Sequence, residues 1–302
     1  MIAPSATSSP LDHIDPSQRN TMPGAVPLVS FERRGHVAVF TLNRPKAMNA
    51  ISGEMSAQFE AHIDRFEADD DLWVGIVASS HPKVFCAGAD LKSIDAGTPI
   101  NTFKGGFAGI VKYPRRKPMI AAVDGVALAG GCEIVLACDL CVAGEKARFG
   151  VPEVKRSLVA AAGALFRLPQ KLPKAIAMEM LLTGDPINAQ RAYEVGLVNK
   201  VVPRGQALDA AFELARRITV NAPLAVQESK AAVDAMSQAA LSDEAGFSRS
   251  AFAFKYLAKT ADYKEGPRAF IEKRAPKWTG KTGKKADDWL AQKMAEERLS
   301  KL

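Results

Sequence analysis

From Val29 the chain alternates short β-branched runs with longer stretches whose apolar residues recur at helical spacing. Val29 to Glu32 and Val37 to Leu42 predict two paired strands around an Arg33-Arg34-Gly35-His36 turn. A helix is expected from Gly53 to Ala68, with Ser52 placed to cap its free amides. Val74 to Ala78, Met119 to Val123 and Leu140 to Val142 are short and apolar between turn signals, which suits buried strands. Between the last two, Gly130 to Ala137 has helical spacing, with Ile134, Ala137 and Cys138 on one side.

Beyond Pro173 the period changes. Lys174 to Leu182, Ala189 to Val195, Ala207 to Thr219, Leu224 to Ala239 and Glu244 to Thr260 predict helices, and Val198 to Val202 alone interrupts them as a strand. Strands alternating with helices and then a run of helices predict an α/β core with a helical C-terminal region. No internal repeat of fixed period stands out.

Composition narrows the class without naming it. With 302 residues, 47% hydrophobic and 24% charged, the chain can bury a large core without staples. The formal charge is +7, but residues 264–302 carry eleven basic against six acidic side chains, so most of the excess is C-terminal. That stretch lacks the interleaved aromatics of a base-stacking surface, having only Phe270 and Trp278 within 264–288, so nucleic acid is not the expected partner. Cys86, Cys132, Cys138 and Cys141 sit in apolar segments as reduced core thiols, and the Cys138-x-x-Cys141 spacing has no second pair or histidine to complete a metal site. His13, His36, His62 and His81 are scattered and receive no catalytic role. Residues 1–27, rich in Ser, Pro and Thr, read as a disordered extension with neither a signal-peptide h-region nor an Arg-rich transit pattern. A cytoplasmic location without membrane contact is the corresponding expectation.

Chemistry concentrates in four places. Glu133 follows Leu128-Ala129-Gly130-Gly131-Cys132, and Glu153 follows Arg148-Phe149-Gly150-Val151-Pro152. Carboxyls beside glycines and apolar runs suit acid/base work, since partial burial raises their pKa toward neutrality; singly, each also fits a helix-start or surface-loop glutamate. Val84-Phe85-Cys86-Ala87-Gly88-Ala89-Asp90-Leu91-Lys92 is rich in small residues, which allow a ligand close to the backbone and leave the Ala89 N–H available as a donor. The Gly130-Gly131 pair offers another N–H at a helix start, where the macrodipole favours negative charge. The Thr41 to Ala50 segment, with Arg44 and Lys46, is by itself a polar turn.

In combination and order, these segments resemble the crotonase (enoyl-CoA hydratase/isomerase) superfamily from about Leu28 to about Lys277. The resemblance implies an α/β crotonase (ClpP/crotonase-like) core of repeated ββα units over 28–205, a helical trimerisation region over 206–280 and an added tail at 281–302. It implies an oxyanion hole made by the N–H groups of Ala89 and Gly130, each such donor contributing about 3 kcal/mol to transition-state stabilisation. Glu133 and Glu153 then fall on the two acid/base glutamates of the hydratases, Glu133 toward the attacking water and Glu153 toward proton delivery. The segments Arg44, Lys46, Ala47 and Ala87 to Lys92 (Ala87, Ala89, Asp90, Leu91, Lys92) match those lining coenzyme A, with Phe270 and Lys273 approaching it, often from a neighbouring subunit. Coenzyme A would enter as part of the substrate, with no metal and no separate cofactor, and the family expectation is a homotrimer or a hexamer of two trimers.

The match departs after Glu153. Ser157, Ala160, Ala161 and Ala164 stand where typical hydratases have Gly, Pro, Gly and Gly, and Lys155-Arg156 with Val159-Ala160-Ala161 is also similar to carnitine-pathway members. Trans-2-enoyl-CoA hydration is the leading expectation. Isomerisation, a specialised acyl-CoA hydration, and non-catalytic acyl-CoA or RNA binding are the alternatives. The tail's Trp289, Leu290 and Met294 are expected to dock on the core.

Overall fold

The structure, a computed structural model, describes residues 26–96, 98–156, 158–238, 252 and 255–299. Residues 1–25 of the expected disordered extension, Ser157, and residues 244–251, 253 and 254 of the expected helix at 244–260 therefore lie outside the described residues.

Two sheets carry the core. The first has six strands in the order β1 (Val29–Arg34), β2 (Val37–Leu42), β3 (Val74–Ser79), β7 (Met119–Val123), β9 (Leu140–Gly144) and β12 (Lys200–Val202). The β1/β2 hairpin is antiparallel, with Arg34 opposite Val37, and every later pairing is parallel. The second sheet runs β11 (Ile187–Asn188), β10 (Arg148–Gly150), β8 (Val126–Leu128) and β4 (Val84–Cys86), with β4, β8 and β10 parallel. A small antiparallel pair, β5 (Asn101–Thr102) and β6 (Gly106–Phe107), stands apart. Each of β3, β7 and β9 in the first sheet is followed by a short strand of the second, which is the repeated unit the resemblance implies.

Burial follows the period of two. Ala38, Phe40 and Leu42 on β2, Val77 on β3, Met119, Ala121 and Val123 on β7, and Cys141 and Ala143 on β9 enter one core. Met55, Phe59, Ile63 and Phe66 of helix α1 (Gly53–Ala68), and all residues from Cys132 to Ala137 except Glu133 on helix α3 (Gly130–Ala137), complete it. The alternate residues Val74, Ile76, Ala78, Ile120, Ala122 and Val142 form a second core under helix α7 (Ala207–Thr219), sealed by Ala207, Ala210, Ala211 and Ala215. Ser52 caps α1 as expected, its hydroxyl accepting from the Met55 N–H at 3.3 Å.

Helix α2 (Leu91–Asp95) and helix α4 (Ala164–Lys171) were not separated by apolar period. The first is too short to show one, and Pro169 interrupts the second. Helices α5 (Lys174–Thr183), α6 (Ala189–Glu194) and α8 (Pro223–Gln238) lie where the pattern put them, within a residue. In the C-terminal region the Asp262 carboxylate accepts from Thr279 N, Thr279 Oγ1 and Gly280 N, fastening the chain after the helix Ala261–Ile271. The tail forms a helix, Lys284–Leu299, but it does not dock through all three expected side chains: Trp289 packs on Phe252 and Tyr256, while Met294 is exposed.

Candidate active site

Three parallel neighbours of the second sheet end on the same side, and that register assembles the site. Cys86 is paired with Ala127, and Leu128 with Gly150. The chain leaving β4 therefore carries Ala87 to Asp90, the chain leaving β8 carries Ala129 and Gly130, and the chain leaving β10 carries Pro152 and Glu153 to one place. Residues from all three exits line a cleft of about 790 Å³, together with Ala47, Phe107, Val111 and Ala162.

Close approach requires the glycines. Gly88 has φ +104, and a Cβ there would lie 2.9 Å from the Ala129 Cβ and 3.3 Å from the Gly130 nitrogen. A Cβ on Gly130 would enter the Phe107 ring at 2.4 Å, and one on Gly131 would meet the Cys86 carbonyl at 2.1 Å. The Gly88 carbonyl accepts from Ile51 N at 2.8 Å and Asp90 N donates to the Ile51 carbonyl at 2.9 Å, so this bridge uses the amides flanking Ala89 in space and not that of Ala89. Gly130 is the first residue of α3, where an N–H has no partner within the helix. Its predecessor Ala129 holds φ 51 and ψ −128, a conformation costly for a residue with a Cβ, and is clamped by donating its N–H to the Gly150 carbonyl at 2.9 Å. Two main-chain donors thus stand on facing segments of one cleft.

Glu133 lies one turn into α3 and is only 3% exposed. Its Oε1 accepts from the Ala164 N–H at 3.1 Å. Burial raises its pKa to about 7, with nearby Glu153 adding to the rise and the N–H groups of Ala164 and Ala162 and the Arg167 guanidinium opposing it. Glu153 sits in a 3-10 turn, Pro152–Arg156, and burial also raises its pKa. Among the described residues its buried Oε2 has no hydrogen-bond partner. Such an oxygen is costly unless something in the cleft engages it.

The expected coenzyme-binding positions divide. Ala47, Ala87, Ala89, Asp90, Leu91 and Lys92 line the cleft. Arg44 is not among the lining residues: its guanidinium donates to the Ala50 carbonyl at 2.9 Å and to Asp90 Oδ2 at 2.5 Å, which holds the Asp90 carboxyl below the usual carboxylate range. Lys46 is exposed beside Ala47 in the 3-10 turn Pro45–Ala47, outside the cleft lining. Lys273 is exposed on the far C-terminal segment and also lies outside that lining within one chain, and the Phe270 side chain lies outside the described residues.

Asn49 escaped sequence reading. Fully buried at φ 52, it accepts from Arg44 N at 2.8 Å and donates to Ser79 Oγ at 2.8 Å and the Phe85 carbonyl at 3.0 Å, locking the Arg44 turn to the ends of β3 and β4. An Asn just after a Pro-Lys turn was its only signal, since Asn tolerates the left-handed region. Val111, Phe107 and Phe103, from a segment without clear period, also line the cleft unforeseen.

Known proteins share this sequence and architecture. The family model for enoyl-CoA hydratase/isomerase matches residues 32–281. The chain is 43% identical over 252 residues to a Mycobacterium tuberculosis protein named enoyl-CoA hydratase EchA19, covering 81% of this chain and 94% of that one. It is 40% identical over 254 residues to a Proteus mirabilis carnitinyl-CoA dehydratase, covering 82% and 97%. A crystal structure of an enoyl-CoA hydratase from Mycobacterium tuberculosis superposes with a TM-score of 0.81 at 44% identity, over 85% of this chain and all of that one. On sequence and architecture together, the chain belongs to the enoyl-CoA hydratase/isomerase family, the crotonase superfamily.

Proposed function

We propose that the chain is an enoyl-CoA hydratase, adding water across the 2,3 double bond of a trans-2-enoyl-CoA to give a 3-hydroxyacyl-CoA. The observation that carries this reading is the pair of buried carboxyls, Glu133 and Glu153, in the same cleft as two main-chain donors. Ionised Glu133 takes a proton from water as its oxygen attacks C3. The charge that develops on the thioester oxygen is received by the Ala89 and Gly130 amides, and protonated Glu153 delivers a proton to C2. The adjacent carboxyls titrate as a coupled pair, and a pKa near neutrality suits a group that must both take and release a proton. Two acid/base groups exceed what a shuttle of one proton between C2 and C4 needs, which favours hydration over isomerisation.

Coenzyme A enters as part of the substrate, along Ala47, Ala87 and Asp90 to Lys92. The reading requires no metal or separate cofactor. It includes assembly as a trimer or a hexamer, supported by exposed Leu165, Phe166, Met178 and Leu182 on α4 and α5. It also includes a cytoplasmic setting and use of the product in β-oxidation. Among the described residues no helix is long and apolar enough to cross a membrane.

A second reading, carnitinyl-CoA dehydration, is favoured by the relatives so named and by the similarity of Lys155-Arg156 with Val159-Ala160-Ala161 to carnitine-pathway members. The cleft lining balances Lys92, Lys112 and Arg156 against Asp90, Glu133 and Glu153, so its charge selects neither substrate and the assay below decides between them. Purified protein incubated with crotonyl-CoA and longer enoyl-CoAs should bleach the conjugated thioester absorbance. No loss at any chain length would sink the hydratase reading; turnover confined to the trimethylammonium substrate would establish the second.

A further inference from the structure

Behind the acyl side of the cleft stands a cation that does not line it. Arg167 on α4 sends Nη2 to the Val111 carbonyl at 2.6 Å and Nη1 to the Ala162 carbonyl at 3.4 Å. Val111 and Ala162 both line the cleft, yet they lie on separate segments, one after β6 and one before α4. Gly163 lies between the lining residue Ala162 and the Glu133 donor Ala164, at φ +129, and a Cβ there would lie 2.2 Å from Arg167 Nη1. The guanidinium therefore occupies the space that a side chain at residue 163 would fill. A second arginine, Arg115, reaches the Ile110 carbonyl at 3.4 Å and the Ala137 carbonyl at the end of α3, so the segment before Val111 is held as well.

We infer that Arg167 is a positioning residue whose planar fork spans two walls of the acyl pocket, sets their separation, and thereby selects the acyl group that reaches Glu133. The inference rests on the hydratase reading for the identity of the acyl group. A guanidinium presents donors in one rigid plane to two acceptors at once, which a lysine ammonium on a flexible stem does not reproduce. Small displacements of a pocket wall matter because catalytic groups must meet reacting atoms within a fraction of an ångström.

Charge enters separately. Glu133 is faced by Glu153 from the 3-10 turn and by Arg167 from α4, and Arg167 is faced by Arg115, Cys138 and Asp234. The Arg167 charge opposes the rise of the Glu133 pKa, so replacing it with a neutral side chain moves the ionisation of Glu133 upward.

The test compares Arg167→Lys and Arg167→Met with the wild type in the full chain, across enoyl-CoAs of increasing length, with amide hydrogen exchange read on the same samples. In Arg167→Lys, kcat/KM on the preferred substrate should fall about tenfold. The ranking of chain lengths should change, and exchange should quicken at 110–112 and 161–164. The acidic limb of the pH profile should stay in place in Arg167→Lys and move to higher pH in Arg167→Met. Wild-type ranking together with wild-type exchange in Arg167→Lys would overturn the inference, and that variant suffices if Arg167→Met does not fold. If the wild type itself hydrates nothing, the proposed function falls, while the exchange comparison still decides whether Arg167 fastens the two walls.

Discussion

Ala164 donates its backbone N–H to Oε1 of Glu133, 3.1 Å away, and this single bond does not offset what burial does to the carboxyl. The folded-state pKa is raised to about 7, so between the unfolded carboxyl value and about 7 the unfolded chain loses its proton first. Stability is full at low pH and falls as pH rises through that window. Glu133→Gln removes the titration and keeps an oxygen for the Ala164 N–H. The variant should exceed the wild type by about 1–3 kcal/mol at pH 8 and by nothing near pH 4. Denaturant melts at both pH values check it; equal stability at pH 8 would show that Glu133 is not buried as an acid.

The same variant should be nearly inactive. Glu133→Gln and Glu153→Gln are each expected to lower kcat by roughly 100-fold or more, as removal of a general acid or base does, while coenzyme A affinity stays within a factor of two. Binding titrations beside crotonyl-CoA turnover read both quantities. Parallel loss of binding and turnover would make the glutamates ligand contacts and not proton carriers.

Gly88→Ala tests the main-chain donors without touching a catalytic side chain. The new methyl meets Ala129 at 2.9 Å in a backbone conformation that L residues rarely adopt. Turnover should fall about 100-fold, with stability down by roughly 1–3 kcal/mol. Gly35→Ala, also at positive φ but with nothing within 4 Å of the added carbon, serves as the control and should lose stability alone.

Arg44→Met should act on binding. It removes a donor to Asp90 and the Ala50 carbonyl from behind the loop that lines the cleft, with the paired side chains 30% and 11% exposed. KM for the thioester should rise about three- to tenfold with kcat within a factor of two, and stability should fall by roughly 1 kcal/mol. A drop in kcat at constant KM would place the pair under the oxyanion hole instead.

Much of this architecture was readable where period and length cooperate. Gly53–Ala68 and Ala207–Thr219 coincide with their expected helices because each carries several turns of apolar spacing and one buried face. β4, β8, β10 and β11 were not readable: two or three residues cannot display an alternation, and Gly150 reads as a turn. These unreadable strands hold the site, so the glutamates and the Ala89 and Gly130 amides were recognised through motif resemblance before any layer of the fold placed them. Asn49 and Arg167 show the remaining gap. Asn49 reaches the Ser79 hydroxyl and the Phe85 carbonyl, Arg167 reaches the Val111 carbonyl, and no local pattern announces partners so distant in sequence.

The strained Ala129 clamped between Gly88 and Gly150 has one more implication. Donors that belong to the main chain cannot be deleted by exchanging a side chain, only displaced by bending the segment that holds them. In the proposed mechanism, polarising the thioester is therefore insulated from sequence drift at the cleft-lining residues Leu158, Val159, Ala161 and Ala162. Descendants of such a chain can change diet while inheriting the same first chemical event.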